Sequence, residues 1–130
     1  GFNKDGKNWV IGIDSPIETS SQRIFTTVQL QNASLATSGN YRNYLERDGQ
    51  KISHTINPAT GMPVFTNVLS VSVRSDDCLS ADAWATALMV MTFDEGRKKI
   101  NSVDKLEAFW ILSDQDGNLN QRYTKDFFKY

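Results

Sequence analysis

The sequence has a single cysteine, Cys78, so no disulfide can close within one chain, and one thiol does not fix a redox compartment. No apolar run approaches the roughly 18 residues that a membrane-spanning helix needs. Neither sign of charge is in excess: 14 basic side chains stand against 15 acidic ones, a net charge of −1. That balance gives neither a nucleic-acid footprint nor a polybasic patch for a membrane surface, and no nucleic-acid partner is expected. Histidine occurs once, as His54, and there is no internal repeat or low-complexity stretch. The sequence opens Gly1-Phe2-Asn3 with no initiator methionine and no signal-peptide pattern within it, and a strand-like run has begun by Trp9. The expectation is a piece of a longer protein.

The 130 residues, 39% of them hydrophobic, suffice for one core and one domain, residues 1–130. Trp9–Ile13 reads as a buried strand closed by Asp14-Ser15-Pro16, and Ile24–Leu30 as a second strand that Asn32–Ser38 extends after a bend. Ser38-Gly39-Asn40 reads as a turn, Tyr41–Leu45 as a short helical segment, and Asp48-Gly49 as a tight hairpin turn. Lys51–Asn57 alternates, with Ile52, His54 and Ile56 on one face, until Asn57-Pro58-Ala59-Thr60-Gly61 breaks it. Val68–Arg74 alternates again, with Leu69, Val71 and Val73 on one face. Thr92 and Glu95 have capping-box spacing for a helix running to about Asn101. Leu106–Leu112 is an aromatic-rich strand, followed by a turn at Asp116-Gly117. Strands, two adjacent helices, then strands predict an α+β fold with a largely antiparallel sheet packed against the helices.

The first of those helices, Ala81–Met91, carries only two polar side chains, Asp82 and Thr86, four positions apart and so on one face. An all-round apolar helix belongs in a core, where a carboxylate must be paired, hydrogen-bonded or metal-bound. Oxygens of this kind suit a hard cation such as Mg²⁺. A purely structural reading stays open. Ser80 could cap the helix, with Asp82 in the favourable first turn and Thr86 bonding back to the carbonyl of residue 82.

Two further clusters carry polar groups beside glycine. Ala36-Thr37-Ser38-Gly39-Asn40-Tyr41 would let a ligand approach the backbone, with Tyr41 able to cover a ring; it also reads as an ordinary turn. His54-Thr55-Ile56-Asn57-Pro58-Ala59-Thr60-Gly61 presents Asn57 and Thr60 from a rigid turn, although His54 suits a hydrogen-bonded core position equally well.

Taken in order, the runs ATSGNY at 36–41, HTINPATG at 54–61 and SADAWATAL at 80–88 resemble the ApbE family of flavin transferases, as does the strand 9–13 with its following Pro16. The likeness covers essentially the whole chain and implies the C-terminal portion of such an enzyme. It implies Asp82 and Thr86 as metal ligands and His54 as the base that activates an incoming hydroxyl. It also implies Ser38, Gly39 and Tyr41 as the loop against FAD, with Asn57, Thr60 and Gly61 as the turn beside it. Asn57 stands where the family frequently has Asp, Ala59 where a basic residue is frequent, and Trp84 where a small one is expected.

The implied activity is Mg²⁺-dependent transfer of FMN from FAD to a threonine of a target protein, releasing AMP, with the helix start near Ser80 favouring the phosphates. An FAD pyrophosphatase, with water in place of the threonine, would use the same residues. A non-catalytic flavin-binding protein and a scaffolding domain are the readings from other classes. The family also implies the bacterial cell envelope, on the periplasmic side of the cytoplasmic membrane, with room for a lipid anchor in the full-length protein. The 130 residues alone are expected to fold but to bind FAD poorly and transfer nothing.

Overall fold

The structure is a computed structural model that describes every residue except 18–22, 41–43, 48–49, 54, 65 and 130, and no side chains within 44–47 and 50–53. In chain order the elements are β1 (Trp9–Asp14), β2 (Ile24–Leu30), β3 (Ser34–Gly39), β4 (Tyr44–Arg47), β5 (Gln50–Ser53), β6 (Val68–Ser75), α1 (Cys78–Leu88), α2 (Phe93–Ile100), β7 (Glu107–Ser113) and β8 (Leu119–Tyr123). Every strand pairing is antiparallel, and the fold is α+β.

The centre is a four-stranded sheet of order β3-β6-β7-β8. Alternation sends its side chains to two cores. On one face Val71, Val73, Ala108 and Trp110 meet Ala85 and Leu88 of α1 and Ile100 of α2. On the other, Phe109 and Ile111 meet Ile13 of β1, Val28 of β2 and Phe127. Each buried Val, Leu, Ile or Phe side chain among them contributes roughly 1.5–3 kcal/mol of transfer free energy against the entropy of ordering it. The β1–β2 hairpin thus lies opposite the helices, and β3 and β6 form the floor on which α1 rests.

Local chemistry explains the helices. α1 starts after Asp77, whose carboxylate accepts from the Ser80 N–H at 2.8 Å. α2 starts at the capping box formed by Thr92 and Glu95 and closes on Asn101, as the spacing predicts.

Several elements depart from the sequence reading. α1 begins three residues before Ala81, and its cap is Asp77 rather than Ser80. It is not enclosed: Ala81, Ala85 and Leu88 are buried, while Asp82, Ala83 and Thr86 face solvent. The four- and three-residue spacing of Ala81, Ala85 and Leu88 lets one narrow stripe meet the sheet. Tyr44 and Leu45 belong to strand β4, not a helix, because pairing with β5 overrides a weak local preference. Ser38 and Gly39 continue β3 as a ladder against β6, with Gly39 opposite Ser70, instead of turning. β5 ends at Ser53; Ile56 makes only an isolated bridge to Pro63 and is 48% exposed, so it does not share an inward face. An irregularity between Val68 and Ser70 places Val68, not Leu69, in the core. In β1 only Ile13 is buried, while Trp9 and Val10 are 52% and 63% exposed, since a two-stranded sheet covers one face. The Asp48-Gly49 turn lies outside the described residues; the strands flanking it pair Arg47 with Gln50.

Candidate functional site

The sheet and α1 bring two of the singled-out residues into contact. Ser38 sits on the helix-facing side of β3, in register with Val71, and its hydroxyl oxygen lies 3.1 Å from the hydroxyl oxygen of Thr86 on α1. Three neighbouring bonds fix this end of β3. Thr37, on the opposite face, bonds Ser72 through their hydroxyls at 2.7 Å. Just past the strand, Asn40 donates from its backbone N–H to the Leu69 carbonyl and from its side-chain amide to the Val68 carbonyl, both at 3.1 Å. Gly39 lies between these anchors with extended pairing.

Asp82 is one turn before Thr86 and exposed; among the described residues its carboxylate makes no ion pair and no hydrogen bond. It occupies the second turn of α1, so the first-turn explanation for its charge does not apply. The Thr86 hydroxyl is met by Ser38 across the interface. A carboxylate and a hydroxyl on one exposed helical face are hard oxygen donors of the type Mg²⁺ takes, with waters and phosphates completing its shell. No group of three or more His, Cys, Asp or Glu side chains gathers for a metal among the described residues. Asp82 and Thr86 would supply two oxygens of a hard cation's shell, with waters or phosphates supplying the rest.

The second cluster forms a closed turn. The Asn57 N–H donates to the Met62 carbonyl at 2.9 Å, the Gly61 N–H to the Asn57 carbonyl at 2.8 Å, and the Val64 N–H to the Thr55 carbonyl at 3.0 Å. The Asn57 side-chain oxygen accepts from the Ala59 N–H at 2.9 Å, and the Thr60 hydroxyl from the Met62 N–H at 3.3 Å. Gly61 has φ +68°, a conformation glycine adopts freely. Asn57 and Thr60 thus spend these oxygens on the turn itself, which is built rigidly. Tyr41 and His54 lie outside the described residues.

Two residues that matter here were not singled out from the sequence. Asn40 stands inside the ATSGNY run, but its carbonyl partners are far along the chain. Asp77 was legible in principle as an acidic residue three before Ser80. Its pKa is lowered, first by the Ser80 backbone N–H and then by the Ser80 hydroxyl.

A separate polar cavity of about 310 Å³ lies between the β2–β3 connection, the end of β6 and the start of β7. Its charges are engaged with neighbours. Lys105 pairs with Asp76 at 2.7 Å, Arg74 donates to the Phe127 carbonyl at 3.1 Å, and Glu107 accepts from the Thr124 hydroxyl and the Asp126 N–H.

The site is thus an exposed carboxylate and hydroxyl on α1, the hydroxyl in contact with a serine of β3, in an α+β fold. Comparison with known proteins gives this arrangement a family. The ApbE family profile matches residues 1–110. The FAD:protein FMN transferase of Vibrio cholerae is 36% identical over 129 residues, 99% of this chain and 37% of that protein. The Escherichia coli K12 enzyme of the same name is 36% identical over 116 residues, 89% of this chain and 32% of its own. The solved flavin transferase ApbE from Vibrio cholerae superposes with a TM-score of 0.79 at 34% identity, over 98% of this chain and 39% of that one. The apo flavinyl transferase ApbE from Pseudomonas stutzeri gives 0.77 at 33%, over 100% and 40%. The chain belongs to the ApbE family. It spans between 32% and 37% of the length of these two curated relatives.

Proposed function

We propose that this chain serves the Mg²⁺-dependent transfer of FMN from FAD to a threonine of a target protein, with release of AMP. The observation that carries this reading is the outward face of α1, where the Asp82 carboxylate, unengaged among the described residues, stands one turn from the Thr86 hydroxyl. The names of the relatives, FAD:protein FMN transferase, supply the donor and the kind of acceptor. Asp82 and Thr86 are the residues that would hold Mg²⁺, whose chemistry is to neutralise and polarise a pyrophosphate. In the transfer, the acceptor threonine oxygen bonds to the FMN phosphorus, and the bond from that phosphorus to the bridging oxygen breaks. AMP departs with the bridging oxygen. The threonine proton passes to His54, a role that rests on the family resemblance. The closed turn at 57–62 and the pinned end of β3 are suited to hold a cofactor against rigid backbone. A place on the periplasmic side of the bacterial cytoplasmic membrane, with a lipid anchor elsewhere in the full-length protein, belongs to the same proposal.

The test is incubation of the full-length protein that carries these residues with FAD, Mg²⁺ and an acceptor protein, followed by mass spectrometry. FMN on an acceptor threonine together with free AMP is expected. FMN and AMP in solution with an unmodified acceptor would make it a pyrophosphatase, and unchanged FAD would make it a binding protein.

A further inference from the structure

We infer that Ser38 is a positioning residue for Thr86: its hydroxyl takes the Thr86 proton and so turns a lone pair of Thr86 toward the cation. This rests on the metal reading above and changes the role of Ser38 from flavin contact to support of the metal oxygens. The observation is the bond of 3.1 Å between the two hydroxyls, which joins β3 to α1 across 48 positions of sequence. A hydroxyl has one proton and two lone-pair sites. To ligate a cation, Thr86 must direct a lone pair outward and its proton elsewhere. In a helix the ordinary destination is the carbonyl one turn earlier, which fixes the oxygen against the backbone. Ser38 offers a competing acceptor on the sheet side.

The strand is built to hold that acceptor still. Thr37 bonds Ser72 on the opposite face, and Asn40 ties the strand exit to β6 twice. Ser38 itself is in ladder register with Val71. Groups that orient a metal ligand commonly govern affinity by about 10- to 100-fold.

The experiment uses Mn²⁺ as the probe, its binding to the full-length protein in the presence of FAD read by electron paramagnetic resonance of the free ion. Ser38→Ala is expected to weaken Mn²⁺ binding on the order of 10-fold, and Ser38→Thr, which keeps the hydroxyl and suits a strand, to restore it. Because Ser38 acts through Thr86, the double variant Ser38→Ala/Thr86→Ala should bind no worse than Thr86→Ala alone. Additive losses would make Ser38 a ligand in its own right and overturn the inference. Unchanged Mn²⁺ affinity in Ser38→Ala, with affinity lost in Asp82→Ala, would overturn it while leaving the metal reading intact. Failure of the parent protein to bind Mn²⁺, or unchanged binding in Asp82→Ala, would overturn both.

Discussion

Gly61 is the single residue whose replacement isolates the rigidity of the 57–62 turn. Its φ of +68° favours glycine, and a Cβ there would meet nothing within 4 Å. Gly61→Ala should therefore cost about 1 kcal/mol of backbone strain with no packing defect. Chemical denaturation would measure that loss, and FAD titration would show whether the turn's geometry matters to the flavin. Asp82 is the complementary case. It is exposed and unengaged among the described residues, so Asp82→Asn should leave the melting temperature nearly unchanged while removing Mn²⁺ binding. The pair Asp82 and Thr86 was legible because helical spacing alone aligns them. The Ser38 contact was not, because it depends on which strand lies under the helix.

Among the elements, the two helix starts show why one cap was legible and the other misplaced. Thr92 and Glu95 answer each other within one turn, so spacing identifies them. Asp77 competes with Ser80 as a start signal, and the chain's exit from β6 decides for the earlier residue. The Asp77 carboxylate is held low by the Ser80 N–H, so its cap is complete above the ordinary carboxylate value of about 3.9 and is lost as pH falls through the lowered value. Asp77→Ala should lower the melting temperature by a few degrees at neutral pH, and the gap from the parent should close in acid. Thermal scans of both proteins from pH 7 downward would check this. Gly96 gives a second test within α2. A Cβ there would sit 3.1 Å from Leu88, which is itself fully buried, so Gly96→Ala should destabilise despite alanine's better helix propensity.

For the whole molecule, the α+β class and the two-helix cover followed from element order. The two-sided core did not. Alternation in β7 shows that Phe109 and Trp110 point opposite ways, but not that a β1–β2 hairpin waits beneath Phe109. Phe109 makes ring contacts with Phe25, Tyr123, Phe127 and Phe128, so its truncation empties the junction between hairpin, sheet and C-terminal segment. Phe109→Ala should cost about 3–5 kcal/mol, measurable by denaturant unfolding. Val10→Ser, on the outer side of β1, should stay within about 0.5 kcal/mol. The lowered pKa values of Asp77, Glu95, Asp114 and Asp126 all act in one direction. Stability should hold at neutral pH and decline below about pH 4, as each carboxylate loses its hydrogen-bonded charge.

The start of α1 at Cys78 has a consequence for electrostatics. Thr86 is eight residues further on, about 12 Å along the axis at 1.5 Å per residue. The amide end of the helix, already occupied by Asp77, is therefore too far away to neutralise a phosphate beside Thr86. Thr86 lies in the last turn instead, at the negative end of the helix dipole, and no basic side chain of that turn offsets it. The local field at the hydroxyl favours a cation over an anion. Phosphates would approach this end of α1 only together with a positive ion, so ion and dinucleotide should enter with mutually dependent affinities.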